Sequence, residues 1–293
     1  MQNDIERLSQ RYPQLLFPIR AGMCRTEEYR AAVLAGQIPD VKPDFVRAEE
    51  ITLSTTETPA GRAEVLVFGR REDFLHAYRA LGYRCEPAEI PDSVGAATIY
   101  GLINWEKIHV HRDAFLAAGG EDWEEEFSRF TADKKNYLDS IILLSSGEYS
   151  NVTAQSVGLE ASEWLEKSLT IRKYHELTHF VCRGLYPEDI DALRDEVIAD
   201  SIGLLAAFGR VDTALVRRFL GTEGGVFREG GRLSHYVPED EVPAAVTRVN
   251  SMIDDYAAHI GAVPAGTEDV FAVLLAIFPP ASVSLHEESE ESI

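Results

Sequence analysis

The chain is short of cysteine, of positive charge and of long apolar runs, and each shortage narrows what it can be. Three cysteines in 293 residues, Cys24, Cys85 and Cys182, are too few and odd in number for a disulfide framework, and they suit a reducing compartment. Twenty-eight Lys+Arg stand against 49 Asp+Glu, a formal charge of −21. Such a surface repels phosphate backbones and anionic lipid, so no nucleic-acid or membrane partner is expected. Apolar runs are short, Val270–Phe278 being among the longest, and none can span a bilayer. The first residues are acidic and polar where a secretion signal is basic and then apolar, so the expected location is cytoplasmic. With 45% apolar and 26% charged residues, a chain of this length can build a core without disulfides or a structural metal.

Residues 1–60 carry five of the thirteen prolines and read as largely irregular, with one helix within Arg25–Ala35. Glu64–Phe68 reads as a strand and Arg71–Leu81 as the helix after it. Ala96–Asn104 and Lys107–His111 read as strands, Asp122–Leu138 as a helix, Ile141–Leu144 as an apolar strand and Tyr149–Val157 as an extended piece. Beyond this the periodicity turns helical: Gly158–Cys182, then Glu188–Phe208 bracketed by Pro187 and Gly209, then 211–220, 239–260 and 268–277. The expected class is α+β. A mixed α/β lobe with a small sheet (1–157) precedes a mostly helical lobe (158–285) and an acidic tail (286–293).

One motif stands above the rest: His175-Glu176-Leu177-Thr178-His179, inside a predicted helix. A spacing of four puts both imidazoles on one face, a turn apart, where they can share one Zn²⁺. Glu176 is rotated about 100° from His175. It is not a ligand with them but can take a proton from a water at the metal. Chance supplies about 0.02 such matches in a chain with this histidine content. A catalytic zinc needs a third protein ligand. The variant with a third histidine requires Gly and His where this chain has Cys182 and Leu185, which excludes it. The next helix offers Glu196, 17 residues after His179, and Asp200 one turn later. A turn at Gly184–Pro187 would let Glu196 return beside the histidines, and Asp200 could accept the free N–H of a ligand histidine. The competing reading is a solvated helix face shared with Asp191, Arg194 and Asp195.

His175-Glu-Leu-Thr-His179 followed by Glu196-Val-Ile-Ala-Asp200 resembles the gluzincin metallopeptidases, the thermolysin-like zinc peptidases, over about 30 residues. The resemblance implies a zincin-like fold with the active site between the two lobes, in a divergent intracellular member. It implies one Zn²⁺ per chain held by His175, His179 and Glu196, with Glu176 as general base and Asp200 orienting a histidine. It also implies a downstream oxyanion donor, for which His235 in Leu233-Ser-His235-Tyr236 is the candidate and Tyr186 a weaker one. This stretch follows the Gly-rich segment Gly221–Gly231, expected to be a flexible loop. An edge strand would hold the peptide, with Asn151 in Tyr149-Ser-Asn151-Val-Thr and Tyr236 as substrate contacts.

The implied activity is zinc-dependent hydrolysis of a peptide or protein substrate. The alternative is a catalytically silent zincin-fold protein acting in regulation or peptide capture, and the intact Glu176 counts against it. A third reading makes the histidines incidental on an acidic interaction protein. His109-Val-His111 reads as a half-exposed strand with no partner ligands, and Cys182 as a buried small apolar residue. Substrate identity and oligomeric state are not encoded in these motifs.

Overall fold

A computed structural model describes residues 3–186, 191–262 and 269–278. The acidic tail at 286–293 and the helix start at Pro187 lie outside them. Among the described residues the protein is α+β, with a small mixed sheet and a majority of helix. It divides into two compact units, Met1–Phe180 and Val181–Ile293. The division falls inside one long helix.

The first unit is built on a four-stranded sheet of order β1-β2-β4-β3. β1 (Ile51–Thr58) and β2 (Gly61–Phe68) form a hairpin, β2 runs parallel to β4 (Leu138–Ser145), and β3 (Ala96–Ile103) closes the other edge antiparallel to β4. Alternation gives each strand two faces. Leu66, Phe68, Ile141 and Leu143 point into a core shared with α1 (Asp4–Arg11), α2 (Glu27–Ala35) and α3 (Arg71–Gly82). Val65, Ile142 and Leu144, buried on the opposite face, fall outside that core. On this second face Thr98 pairs with Ile142, and its hydroxyl reaches α7 (Ala161–Leu185).

The first 60 residues hold more structure than their prolines suggest. α1 is fixed by a capping box between Asn3 and Glu6 and buries Ile5 and Leu8. β1 is held along its whole length by β2.

A larger correction concerns Lys107–His111, which is helix and not strand. It lies in α4 (Trp105–Ala117), started by the Asn104 side chain accepting from the Lys107 N–H. The alternating apolar residues misled: Trp105 and Ile108, at i and i+3, are buried, whereas Val110 is exposed. The helix expected over Asp122–Leu138 ends early, as α5 (Trp123–Thr131), because Leu138 already belongs to β4. Tyr149–Val157 is not extended either. It forms a 3₁₀ turn, Tyr149–Asn151, and the single turn α6 (Ala154–Val157).

The second unit contains α8 (Ala192–Phe208), α9 (Thr213–Leu220), α10 (Val242–Gly261) and α11 (Val270–Ile277). The Asp191 side chain caps α8 at Leu193 and Arg194, and Gly209 closes it in a left-handed conformation. α10 packs against α8, α9 and α11. The Gly-rich stretch is a tight crossing: a Cβ on Gly221 would lie 2.6 Å from the Gly231 Cα, and the Arg228 N–H donates to the Gly221 carbonyl at 2.7 Å. No described helix is long and apolar enough to cross a membrane.

Candidate metal centre

α7 carries an unusual load of buried polar side chains, among them Ser168, Arg172, His175, Glu176 and Thr178. Arg172 shows how they are accommodated. Its guanidinium donates to the carbonyls of Ser145 (2.7 Å), Gly147 (2.8 Å) and Glu148 (2.7 Å). Gly95 makes room for it, since a Cβ there would stand 2.6 Å from the Arg172 Nε. The segment after β4 is thereby clamped to the helix. The Tyr149 N–H donates to the Ser168 Oγ at 3.1 Å, and Glu148 accepts from the Ala154 N–H. Ser150 and Asn151 adopt left-handed conformations (φ 51° and 57°), which breaks any extended path through this stretch. Asn151 is exposed on the turn.

The clamp sets Tyr149 against the motif. Its hydroxyl lies 3.0 Å from the His175 Nδ1, both groups buried. The Nε2 atoms of His175 and His179 face one another at 2.9 Å. Two ligands about 2.05 Å from a tetrahedral ion stand roughly 3.3 Å apart, so the pair is close to a chelating separation. If the His175 Nδ1 carries the proton and donates it to Tyr149, its Nε2 presents a lone pair toward His179. Glu176 lies off this axis, as the helical rotation requires. The Thr98 hydroxyl donates to its Oε2 at 2.7 Å, tying the carboxylate to edge strand β3.

On α8, Glu196 and Asp200 are buried a turn apart and meet Arg232. The Arg232 guanidinium donates to the Asp200 carboxylate and lies 3.8 Å from the Glu196 Oε2, so one cation serves both carboxylates. The Tyr236 hydroxyl donates to Glu196, and burial beside these carboxylates pushes the phenol well above its ordinary pKa. His235 ends the 3₁₀ turn Arg232–His235 and is exposed, its ring 6.3 Å from that of Tyr236. Tyr186 donates its hydroxyl to the Phe278 carbonyl. Cys182 is buried, its thiol raised first by that burial and then by Asp195. His175 and His179 offer two imidazole nitrogens on one helix face of the first unit, and Glu196 offers a buried carboxylate on α8 of the second. Two imidazole nitrogens and a carboxylate oxygen are a donor set that suits a divalent transition metal with an open position.

Thr98, Tyr149 and Arg232 went unremarked as contributors to this site. Thr98 and Arg232 gave no local signal, since their partners stand 78 and 32 residues away. Tyr149 fell in a stretch read as strand, which hid its role on a turn. His109 and His111, by contrast, belong to no such group among the described residues. No curated protein and no solved structure matches the chain. Residues 1–267 match a family profile described as a family of unknown function (DUF7005), and the chain belongs to that family.

Proposed function

We propose that the protein is a zinc-dependent peptidase with a zincin-like arrangement, located in the cytoplasm. The observation that carries this reading is the facing pair of His175 and His179 nitrogens, 2.9 Å apart, with the Glu176 carboxylate next to His175 in sequence and tied to Thr98. His175, His179 and Glu196 would hold one Zn²⁺ per chain. When bound, the ion would supply Lewis acidity to a scissile carbonyl and to the attacking water. Glu176, steadied by Thr98, accepts the proton of that water as its oxygen adds to the carbonyl carbon, and returns it to the leaving amine nitrogen as the C–N bond breaks. Tyr149 fixes the ring of His175. Tyr236 keeps its proton and sits at Glu196, which makes it a better-placed donor to the developing oxyanion than the exposed His235. The peptide would lie along β3, an edge strand tied to Glu176 through Thr98. This replaces Tyr149–Thr153, whose turn cannot pair with a strand.

The test is metal analysis of the purified chain together with cleavage of a mixed peptide library. Wild type should hold about one Zn²⁺ and cleave. Glu176→Gln should keep the metal and lose roughly 10²–10⁴-fold in turnover, and Glu196→Ala should lose the metal. Zinc-loaded wild type that cleaves nothing would turn the reading to a peptide-capturing metal protein. Equal cleavage by Glu176→Gln would remove the assigned base.

A further inference from the structure

On a chain of charge −21, positive charge gathers around one basin of the first unit. Its volume is about 1020 Å³, ample for several side chains of a ligand. Arg11, Arg62, Lys107, Lys134 and Lys135 line it, against three carboxylates. Those carboxylates already have partners. Glu64 accepts two hydrogen bonds from Arg11 (2.6 and 3.0 Å), Asp139 takes Lys107 at 2.5 Å, and Glu106 lies 3.5 Å from the Arg11 Nε. Lys134 and Lys135 are exposed and form no ion pair among the described residues. The basin therefore offers cationic charge that its own acids do not consume.

Its position gives that charge a use. Tyr100 and Gly101 of β3 form one wall, and Phe180, the residue after His179, forms part of another. A β-bulge between Tyr100 and Leu102, with Gly101 exposed and left-handed at φ 74°, turns the edge strand at the basin. Gly101 is three residues along β3 from Thr98, roughly 10 Å at strand rise. A peptide laid on the β3 edge with its reacting bond at Glu176 would carry a side chain about three residues away into the basin.

We propose that this basin is a specificity site for acidic side chains, so that the preferred substrates are peptides with Asp or Glu about three residues from the bond cleaved. The assignment rests on the peptidase reading for its role in cleavage, but binding alone tests it. The experiment is fluorescence anisotropy with full-length Glu176→Gln and two labelled decapeptides, one with a central Asp/Glu cluster and one with the isosteric Asn/Gln. The acidic peptide should bind about tenfold tighter at low salt, with the advantage shrinking as ionic strength rises. Lys134→Glu/Lys135→Glu, on exposed positions that leave the core untouched, should bring the ratio to about one. Equal affinities for the two peptides, or an unchanged ratio in the double variant, would overturn the proposal whether or not the wild type cleaves. So would displacement of the acidic peptide by inorganic phosphate at equal concentration, which would assign the basin to small anions. Preference for the acidic peptide without cleavage by wild type would leave the basin standing and remove the hydrolase.

Discussion

Two pairs of histidines sit on helices of the first unit and do opposite things. His175 and His179, four residues apart on α7, bring their Nε2 atoms to 2.9 Å. His109 and His111, two apart on α4, are rotated about 200° from one another and share nothing. His109 lies beside Trp105 at 5.8 Å between ring centroids. His111 stacks on Phe130 at 4.1 Å and bonds Glu126 at 2.6 Å. One pair turns its Nε2 atoms toward each other, and the other spends its rings on packing and a single carboxylate. The surroundings reinforce the contrast. The α7 pair has Tyr149 behind it and Glu176 between its members in sequence, whereas the α4 pair faces aromatic side chains.

The largest expected effect separates the pairs outright. His175→Ala or His179→Ala should reduce zinc content from about one per chain to near zero, and His109→Ala or His111→Ala should leave it intact. Elemental analysis of the four variants decides this, and equal zinc in all four would end the chelate assignment. Next in size is the hydroxyl behind the pair. Tyr149→Phe removes only the group at the His175 Nδ1, and zinc affinity should fall roughly 10–100-fold, as losses of such supporting partners do. Competition with a chromogenic chelator measures it; wild-type affinity in Tyr149→Phe would mean another group orients the ring.

On the α4 side the loss should appear in stability and not in metal. Glu126 is buried and bonds both His111 and Arg129. Glu126→Gln should cost about 1–2 kcal/mol in denaturant unfolding, with zinc content unchanged. The smallest effect concerns a lone histidine. His76 is largely buried against Phe45, and burial lowers its pKa below the ordinary value. The unfolded chain then binds the proton more readily than the folded one. The stability this site contributes is present above about pH 6.5 and is lost as pH falls toward the lower folded value. Between pH 7.5 and 5.5 wild type should therefore lose more stability than His76→Phe. An identical loss in both would show that His76 does not titrate differently on folding.

Parts of this organisation were legible in advance because they are local. A four-residue spacing converges on any α-helix. Arg71–Leu81 and Ile141–Leu144 declare themselves by periodicity and by an apolar run, and each lies within the observed element. Where the local signal was ambiguous, packing decided. Lys107–His111 alternates like a strand, but the Asn104 cap and the burial of Trp105 and Ile108 favour a helix. Tyr149–Val157 has strand-like residues, but three hydrogen bonds from Arg172 to the preceding carbonyls hold its approach in a turn. Prolines made residues 1–60 look irregular, yet a capping box and a hairpin partner order α1 and β1 between them.

By itself the sequence determined the α+β class, the helix that carries the motif, and the convergence of His175 with His179, since these follow from backbone geometry and periods of 2 and 3.6. Tertiary structure alone decided that Thr98 holds Glu176, that Tyr149 backs His175, that Arg232 joins Asp200 and Glu196, and that the spare lysines face the bend of β3. Each of those contacts links residues far apart in the chain. Their hydrogen bonds and charges reach only a few ångströms, so they exist only once the core has brought the segments together.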